Sequence, residues 1–210
     1  MSTLDRKRRR DLRLRKWQYG AAALTVFLGT MAFAASYDGY RNLDASYKRT
    51  YDRLALADVT VTGADASFAA EAEDLSAVDT VESRMQADVP LRIDGEHTLI
   101  GRLVGLPADG RPALNRLDVV KGKRPSSARL GGALVETHLY DHFELSPGDT
   151  LEYHDGVDWR ALTVVGSVVS PEYLWPVRSA QDAMSMPDSF GVVFVDDLLV
   201  AALPPAMVED

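Results

Sequence analysis

Eight basic side chains stand before a 21-residue stretch that carries no charge, and this junction constrains the chain more than any other feature. Arg6, Lys7, Arg8, Arg9, Arg10, Arg13, Arg15 and Lys16 precede Trp17–Tyr37, WQYGAAALTVFLGTMAFAASY, whose polar residues are all small or uncharged. As a helix the stretch rises roughly 31 Å, which matches the hydrocarbon core of a bilayer. Trp17 and Tyr19 at one end, and Tyr37 and Tyr40 at the other, have the amphipathic rings that favour the headgroup level. Because Lys and Arg accumulate on the cytoplasmic side, residues 1–16 are expected inside, residues 17–37 across the membrane and everything after Tyr40 outside.

Charge divides the chain in the same place. Residues 1–16 carry a net +6, so the other 194 sum to −14 to give the stated −8. An acidic exterior argues against nucleic acid, whose binding proteins replace phosphate counterions with Lys and Arg. The basic block reads as a topology signal that also meets anionic lipid. The competing reading is a cleaved signal, since Ala32-Phe33-Ala34 has the form of a cleavage site and RRRDLRL at 8–14 loosely resembles a twin-arginine signal. The uncharged span is longer than a signal core of about 7 to 15 residues, which favours an anchor. There is no cysteine, hence no disulfide, thiolate metal site or cysteine nucleophile.

Beyond Tyr37 the apolar residues Tyr40, Leu43, Tyr47, Tyr51 and Leu54 recur in steps of three and four, one stripe of a helix. The spacing predicts that the membrane helix continues as a stalk over 38–57, about 60 Å in all. Next come a short strand at Asp58–Thr62, a loop at Ala64–Ala72 and a short helix at Leu75–Thr80. Strands are expected at Val81–Val89 and Thr98–Leu106 around an Asp94-Gly95 turn, then at Leu117–Val120. A strand at Ala133–Val135 leads into a helix at Glu136–Phe143. Strands at Thr150–His154 and Trp159–Val169 flank the Asp155-Gly156 turn, with Gly166 a bulge or close-approach point. Phe190–Val195 reads as a strand, and Asp196 as the cap of a short helix that ends before Pro204. Ala201–Asp210 reads as an ending without a closing strand. Interleaved strands and helices make residues 58–210 an α+β extracytoplasmic domain, with two lobes left open.

No constellation of side chains carries an obvious chemistry. His138 and His142, four apart on a helix, lack the neighbouring glutamate and a third ligand at recognisable spacing, so a solvated helix face is the simpler reading. Neither a Gly-x-Ser-x-Gly nucleophile nor a phosphate-binding loop is present: Gly122-Lys123 lacks the earlier glycine, and Pro125 follows where a helix should begin. Accordingly no catalytic, cofactor-binding or metal-binding residue is assigned, no cofactor is expected and the chain is not read as an enzyme.

One stretch does carry a resemblance. Gly122-Lys123-Arg124-Pro125, then Ala133-Leu134-Val135-Glu136 entering a helix, Leu145-Ser146-Pro147-Gly148-Asp149-Thr150-Leu151, and Val164-Val165-Gly166 through Ser170-Pro171-Glu172-Tyr173 follow in order. Each is weak alone. Together they resemble the extracytoplasmic domain of FtsX/MacB-like ABC-transporter permeases, and Arg10-Asp11-Leu12 before an Ala-rich span and stalk is similar too. The resemblance implies a permease subunit that works as a dimer with a separate cytoplasmic ATPase, which drives an outer domain that meets an adaptor or substrate protein. It implies a bacterial cell membrane and further spans that this sequence does not contain, so a fragment of a longer permease is expected. The alternatives are a single-pass membrane-anchored binding protein, or an exported enzyme released after Ala34. In the loop Ser170–Pro176, Tyr173 and Trp175 between prolines are expected to form a docking surface whose loss leaves the thermal midpoint nearly unchanged, with hydrophobic cover as the alternative.

Overall fold

The computed structural model describes residues 15–64, 66–124, 131–178, 184 and 186–209. The basic positions 6–13 and Pro125 lie outside them. Two compact units divide the chain at Arg49/Thr50.

In the first unit, helix α1 (Lys16–Leu54) begins, and it is long and apolar enough to cross a membrane by length and composition. Several of its polar side chains are paired locally. The Thr25 and Thr30 hydroxyls donate to the carbonyls of Ala21 (3.0 Å) and Val26 (2.8 Å), which removes free donors from the apolar surface. Phe33 stacks on Tyr37, the Arg41 guanidinium lies 5.9 Å from the Tyr37 ring centroid, and Lys48 pairs with Asp44 one turn earlier at 3.0 Å. Tyr40 and Leu43, the start of the predicted stripe, are exposed.

The second unit is built on one eight-stranded sheet. After α2 (Ala66–Glu73) come β1 (Gln86–Ile93), β2 (His97–Leu106), β3 (Asp118–Gly122), β4 (Gly132–Glu136), α3 (Thr137–His142), β5 (Thr150–His154), β6 (Trp159–Val169), β7 (Phe190–Asp196), α4 (Asp197–Ala201) and β8 (Val208–Glu209). The pairings run β1-β2-β7-β4-β6-β5 and return to β1, so six strands close into a ring. Closure removes the open edges through which sheets aggregate. Among the described residues only β2–β7 and β4–β6 are parallel, while β3 adds to β6 and β8 to β1. The two lobes left open by the sequence are thus a single unit.

Alternation along the strands sorts the core into two clusters. Val89, Leu91, Leu103, Val135, Leu151, Leu162, Val193 and Val195 belong to one, with Leu139 and Tyr140 of α3 and Val200 of α4. The intervening positions Val104, Leu134, Val168, Val192 and Phe194 belong to the other, where Leu117 and Tyr173 cover them. Both faces of β4 and β7 are therefore buried, which explains why GALVE and FGVVFV read as near-continuous apolar runs.

The sequence reading holds for β2 to β7 and for the Asp196 cap, whose Oδ1 accepts the Leu198 N–H at 2.9 Å. Five expectations are corrected. Asp58–Thr62 is not a strand, because Val59 and Val61 are exposed and find no ladder partner, and alternation alone does not stabilise a lone strand. Helix occupies Ala66–Glu73, read as a loop, whereas Leu75–Thr80, read as a helix, is turn and irregular chain. β1 lies further along than Val81–Val89, running through Pro90. That proline is tolerated because its partner Ile100 turns its N–H to Ser189 on the β7 side, so the Pro90 nitrogen faces away from β2. It sits between the β8 register (Gln86–Ala87) and the β5 register (Leu91–Ile93), where no donor is needed. Finally, Ala201–Asp210 does contain a closing strand: Val208 pairs with Ala87.

Candidate functional site

Helix α1 stops at Leu54 for a local reason. Ala55 takes the left-handed conformation (φ 50°), its N–H turns to the Asp52 carbonyl and the Leu56 N–H reaches back to the Tyr51 carbonyl at 3.0 Å. This is the double hydrogen-bonded helix ending usually built on glycine, made here with alanine at a cost of about 1 kcal/mol. The Leu54 and Ala55 carbonyls are taken by the segment before β3. The Arg116 N–H donates to Leu54 (2.7 Å), the Asn115 N–H donates to Ala55 (2.8 Å), and Asn115 Oδ1 accepts the Ala57 N–H (2.8 Å). Asn115 is buried and itself left-handed (φ 48°), a conformation asparagine tolerates better than other side chains. Arg53 adds an ion pair to Asp118 at 2.7 Å, and Leu54 is buried. The last turn of α1 is thus latched to the chain that becomes β3.

From there a backbone path enters the ring. β3 pairs with β6 through Gly122↔Gly166, where neither residue has room for a Cβ: one on Gly122 would strike the Val165 carbonyl, and one on Gly166 the Lys121 carbonyl. The bulge that the sequence placed at Gly166 is present, since β4 skips Val165 in its register with β6.

β6 runs directly into Ser170-Pro171-Glu172-Tyr173, whose last three residues form a 3-10 turn. Glu172 pairs with Arg84, a contact in which both side chains are mostly buried. Burial pulls the Arg84 pKa down, but the hydrogen bond and charge of Glu172 outweigh it and the net direction is upward. Beside it Arg102 grips both carboxylate oxygens of Asp88 (2.7 and 3.0 Å), a fork-to-fork geometry, and this holds its pKa above the usual arginine value. Arg178, at the far end of the loop, reaches the same carboxylate at 3.4 Å. The segment 171–178 is therefore pinned at both ends to the β1–β2 region.

The docking expectation for this loop divides. Trp175 is exposed, but Tyr173 is 7% exposed, packs edge-on against Phe194, and has its phenol pKa raised by burial first and Glu172 second. Tyr173→Ala is expected to cost about 3 kcal/mol by opening a cavity in the outer cluster. Trp175→Ala should cost under about 0.5 kcal/mol. Equilibrium unfolding of the two single variants checks the difference.

The histidine pair does not converge. His138 Nδ1 lies 2.8 Å from Glu136 Oε1, and the backbone N–H of His138 caps onto Glu136 Oε2, so the buried Glu136 serves as the N-cap of α3. His142 meets the edge of Phe143. Among the described residues no group of three or more His, Cys, Asp or Glu is arranged to hold a metal ion.

No protein-family model matches the sequence, and none of the curated proteins does. Solved structures do match in backbone arrangement. The periplasmic region of MacB from Actinobacillus actinomycetemcomitans is 10% identical with a TM-score of 0.41, over 71% of this chain and 64% of that one. A domain described as belonging to a permease protein from Porphyromonas gingivalis is 13% identical (TM-score 0.39), over 71% and 66%. The extracellular domain of the ABC-type transporter YknZ from Gram-positive bacteria is 10% identical (TM-score 0.40), over 74% and 79%. The chain spans less than two thirds of the first two in length.

The latch is what sequence reasoning missed. Its signals were Asn115 after an Ala-Leu pair and a helix stripe ending at Leu54, and neither indicates that the two meet across about 60 residues. The motif residues that carried the resemblance each have a structural part. Gly122 and Gly166 allow close strand approach, Asp149 accepts the Ser146 N–H at 2.7 Å to shape the turn, and Glu172 and Tyr173 dock the loop.

Proposed function

We propose that this chain is the N-terminal part of an FtsX/MacB-like ABC-transporter permease. Residues 1–16 are cytoplasmic, 17–37 cross the bacterial cell membrane, 38–57 are the stalk, and 58–210 belong to the extracytoplasmic core domain, which extends beyond this chain in the whole permease. The subunit pairs with a second permease subunit and with a separate ABC ATPase inside, and it meets an adaptor or substrate protein outside. It performs no catalysis itself. Its work is to convert closure of the ATPases into movement of the outer domain.

The observation that carries this reading is the latch. A helix long enough to cross a membrane ends in hydrogen bonds from Asn115 and Arg116 rather than in a flexible linker, so displacement along α1 passes into β3 and, through the Gly122–Gly166 contact, into β6. A simple anchor has no need of such an ending, because Gly- or Ser-rich chain would tether a domain equally well. The ordered run of motif residues and the mixed ring of strands support the family.

The test uses the absence of cysteine. In the full-length protein held in lipid nanodiscs with its co-purifying ATPase, spin labels on Val157→Cys, an exposed hairpin position, report the distance between two copies. ATP with vanadate is expected to change that distance. Asn115→Ala, which removes the Ala57 hydrogen bond, is expected to abolish the change while ATP hydrolysis continues, and to cost about 1–2 kcal/mol in stability. Absence of an ATPase from the purified complex, or a distance indifferent to nucleotide, refutes the transport reading.

A further inference from the structure

Asp197 opens α4 where that helix packs on the end of β2 and the close of β7, beside the residue that leads into β1. One of its carboxylate oxygens, Oδ1, is buried and has no hydrogen-bond partner among the described residues. It is seated so closely against Gly105 of β2 that a Cβ added there would strike it. The Met85 carbonyl lies 3.1 Å from the same Cβ position and accepts the Gly105 N–H at 2.8 Å. A buried carboxylate oxygen without a partner loses its hydration uncompensated, whereas a protonated one becomes a donor. The Met85 carbonyl, with two lone pairs, is the acceptor that borders it.

The charges around it do not offset its own. From β7, Asp196 stands next to it with Oδ1 taken by the Leu198 N–H. In the segment that leads into β1, Glu82 accepts the Leu114 N–H and Arg84 is paired with Glu172. On β2, Arg102 is held by Asp88 through both oxygens, and beyond the strand Asp109 accepts the Arg111 N–H. Helix α4 itself, DLLVA, carries no second ionisable residue, and β8 sets Glu209 opposite Gln86. Burial is accordingly the largest influence on Asp197. It pushes the carboxyl pKa above the usual aspartate value, the Met85 N–H pulls it down, and Asp196 pushes it up again, with a net direction upward.

We propose that Asp197 is a proton-operated clasp: in mildly acidic surroundings it takes a proton from the medium and draws the first turn of α4, the end of β2 and the entry to β1 more tightly together. Only the proton moves. The direction follows from linkage. A carboxyl that holds its proton more firmly in the folded chain contributes its stability in full below the usual aspartate value and loses it as pH rises through the folded value. The junction reaches beyond itself, since Met85 lies between Arg84, which pins the start of 171–178 through Glu172, and Gln86, where β8 joins β1. The clasp does not depend on the transport reading: any exposed domain with this junction meets the pH of its surroundings.

The test follows amide hydrogen exchange in the full chain held in lipid nanodiscs, from about pH 8 to about pH 5, with rates corrected for the intrinsic pH dependence of exchange. The reporters are the Gly105 and Ala202 amides, whose hydrogen bonds run to Met85 and Leu198 at the junction, with the amides of the β5–β6 hairpin as reference. In the unaltered chain, protection of the reporters relative to the reference is expected to rise about threefold or more as pH falls. Asp197→Asn, which keeps the shape and removes the charge, should show the high protection at both ends of the range. Asp196→Asn keeps a cap on α4 and removes a like charge, so it should retain the response but displace it to lower pH. Protection in the unaltered chain that is flat or falls with falling pH overturns the proposal, and this arm needs no variant. So does a response that survives Asp197→Asn, or an Asp197→Asn chain less protected than the unaltered one near pH 8, which would show that water already satisfies the ionised oxygen.

Discussion

Replacing Gly166 with valine is expected to lower stability by about 3 kcal/mol or more, a drop of roughly 6–12 °C in the thermal midpoint for a chain of this size. Backbone is what stands in the way. A Cβ at Gly166 meets the Lys121 carbonyl and the Gly122 Cα, and Gly122, at φ 79°, cannot yield because its own Cβ position is closed by Val165 and Gly166. Neither obstacle is the flexible end of a side chain, so the two strands must separate. Separation breaks the β3–β6 pairing at Lys121↔Ser167 and Gly122↔Gly166, and it also disturbs the β4 register that passes through Leu134↔Gly166. Val164 and Val168 show that valine is otherwise well suited to this strand, so β propensity predicts the opposite sign. Calorimetry or denaturant unfolding of Gly166→Val decides between them, and an unchanged midpoint would falsify the close-approach account. If the latch passes displacement into β6, the same substitution should also uncouple the spin-label response, which links the stability measurement to the proposed function.

The second large effect is expected at Arg84. Arg84→Met removes the partner of Glu172 while leaving a mostly buried carboxylate whose other oxygen, Oε2, has no hydrogen-bond partner among the described residues. Breaking a buried pair from one side costs about 3–5 kcal/mol, and the partial exposure of both side chains brings the expectation to the lower end of that range. Glu172→Leu alone should cost less, since Arg84 is the more exposed of the two side chains and its guanidinium finds water more readily. The double variant Arg84→Met/Glu172→Leu is expected to recover most of the loss, because two apolar side chains of similar volume satisfy each other. A double-mutant cycle by urea unfolding measures the coupling, and additive single effects would show that the two residues act independently. The consequence reaches the loop: with Glu172 released, the start of 171–178 is no longer pinned.

Much of the fold was legible because its signals are local. The hairpin turns at Asp94-Gly95 and Asp155-Gly156, the alternation in Thr150–His154 and Trp159–Val169, and the Asp196 cap depend on residues within a few positions of one another, and each appears where it was expected. The misses share a cause. Asp58–Thr62 alternates like a strand but is given no neighbour, and Pro90, just past the expected strand Val81–Val89, falls inside β1 in the gap between two of its partners. Tyr173 reads as a loop aromatic on display, yet the closed ring leaves an outer apolar face on β7 that something must cover, and Tyr173 is the side chain that reaches Phe194.

By itself the sequence determined the division of the chain, with a charged end, an uncharged span of bilayer length and an acidic α+β domain, since charge and hydrophobic period act through solvent and need no partner. Only the tertiary structure decided how the strands close, which loop residues are core and where α1 is latched. Those outcomes rest on contacts between Leu54, Ala55 and Asn115, or between Arg84 and Glu172, whose separation along the chain carries no periodic signal. Such pairs are chosen by which buried polar groups remain to be satisfied once the ring has formed.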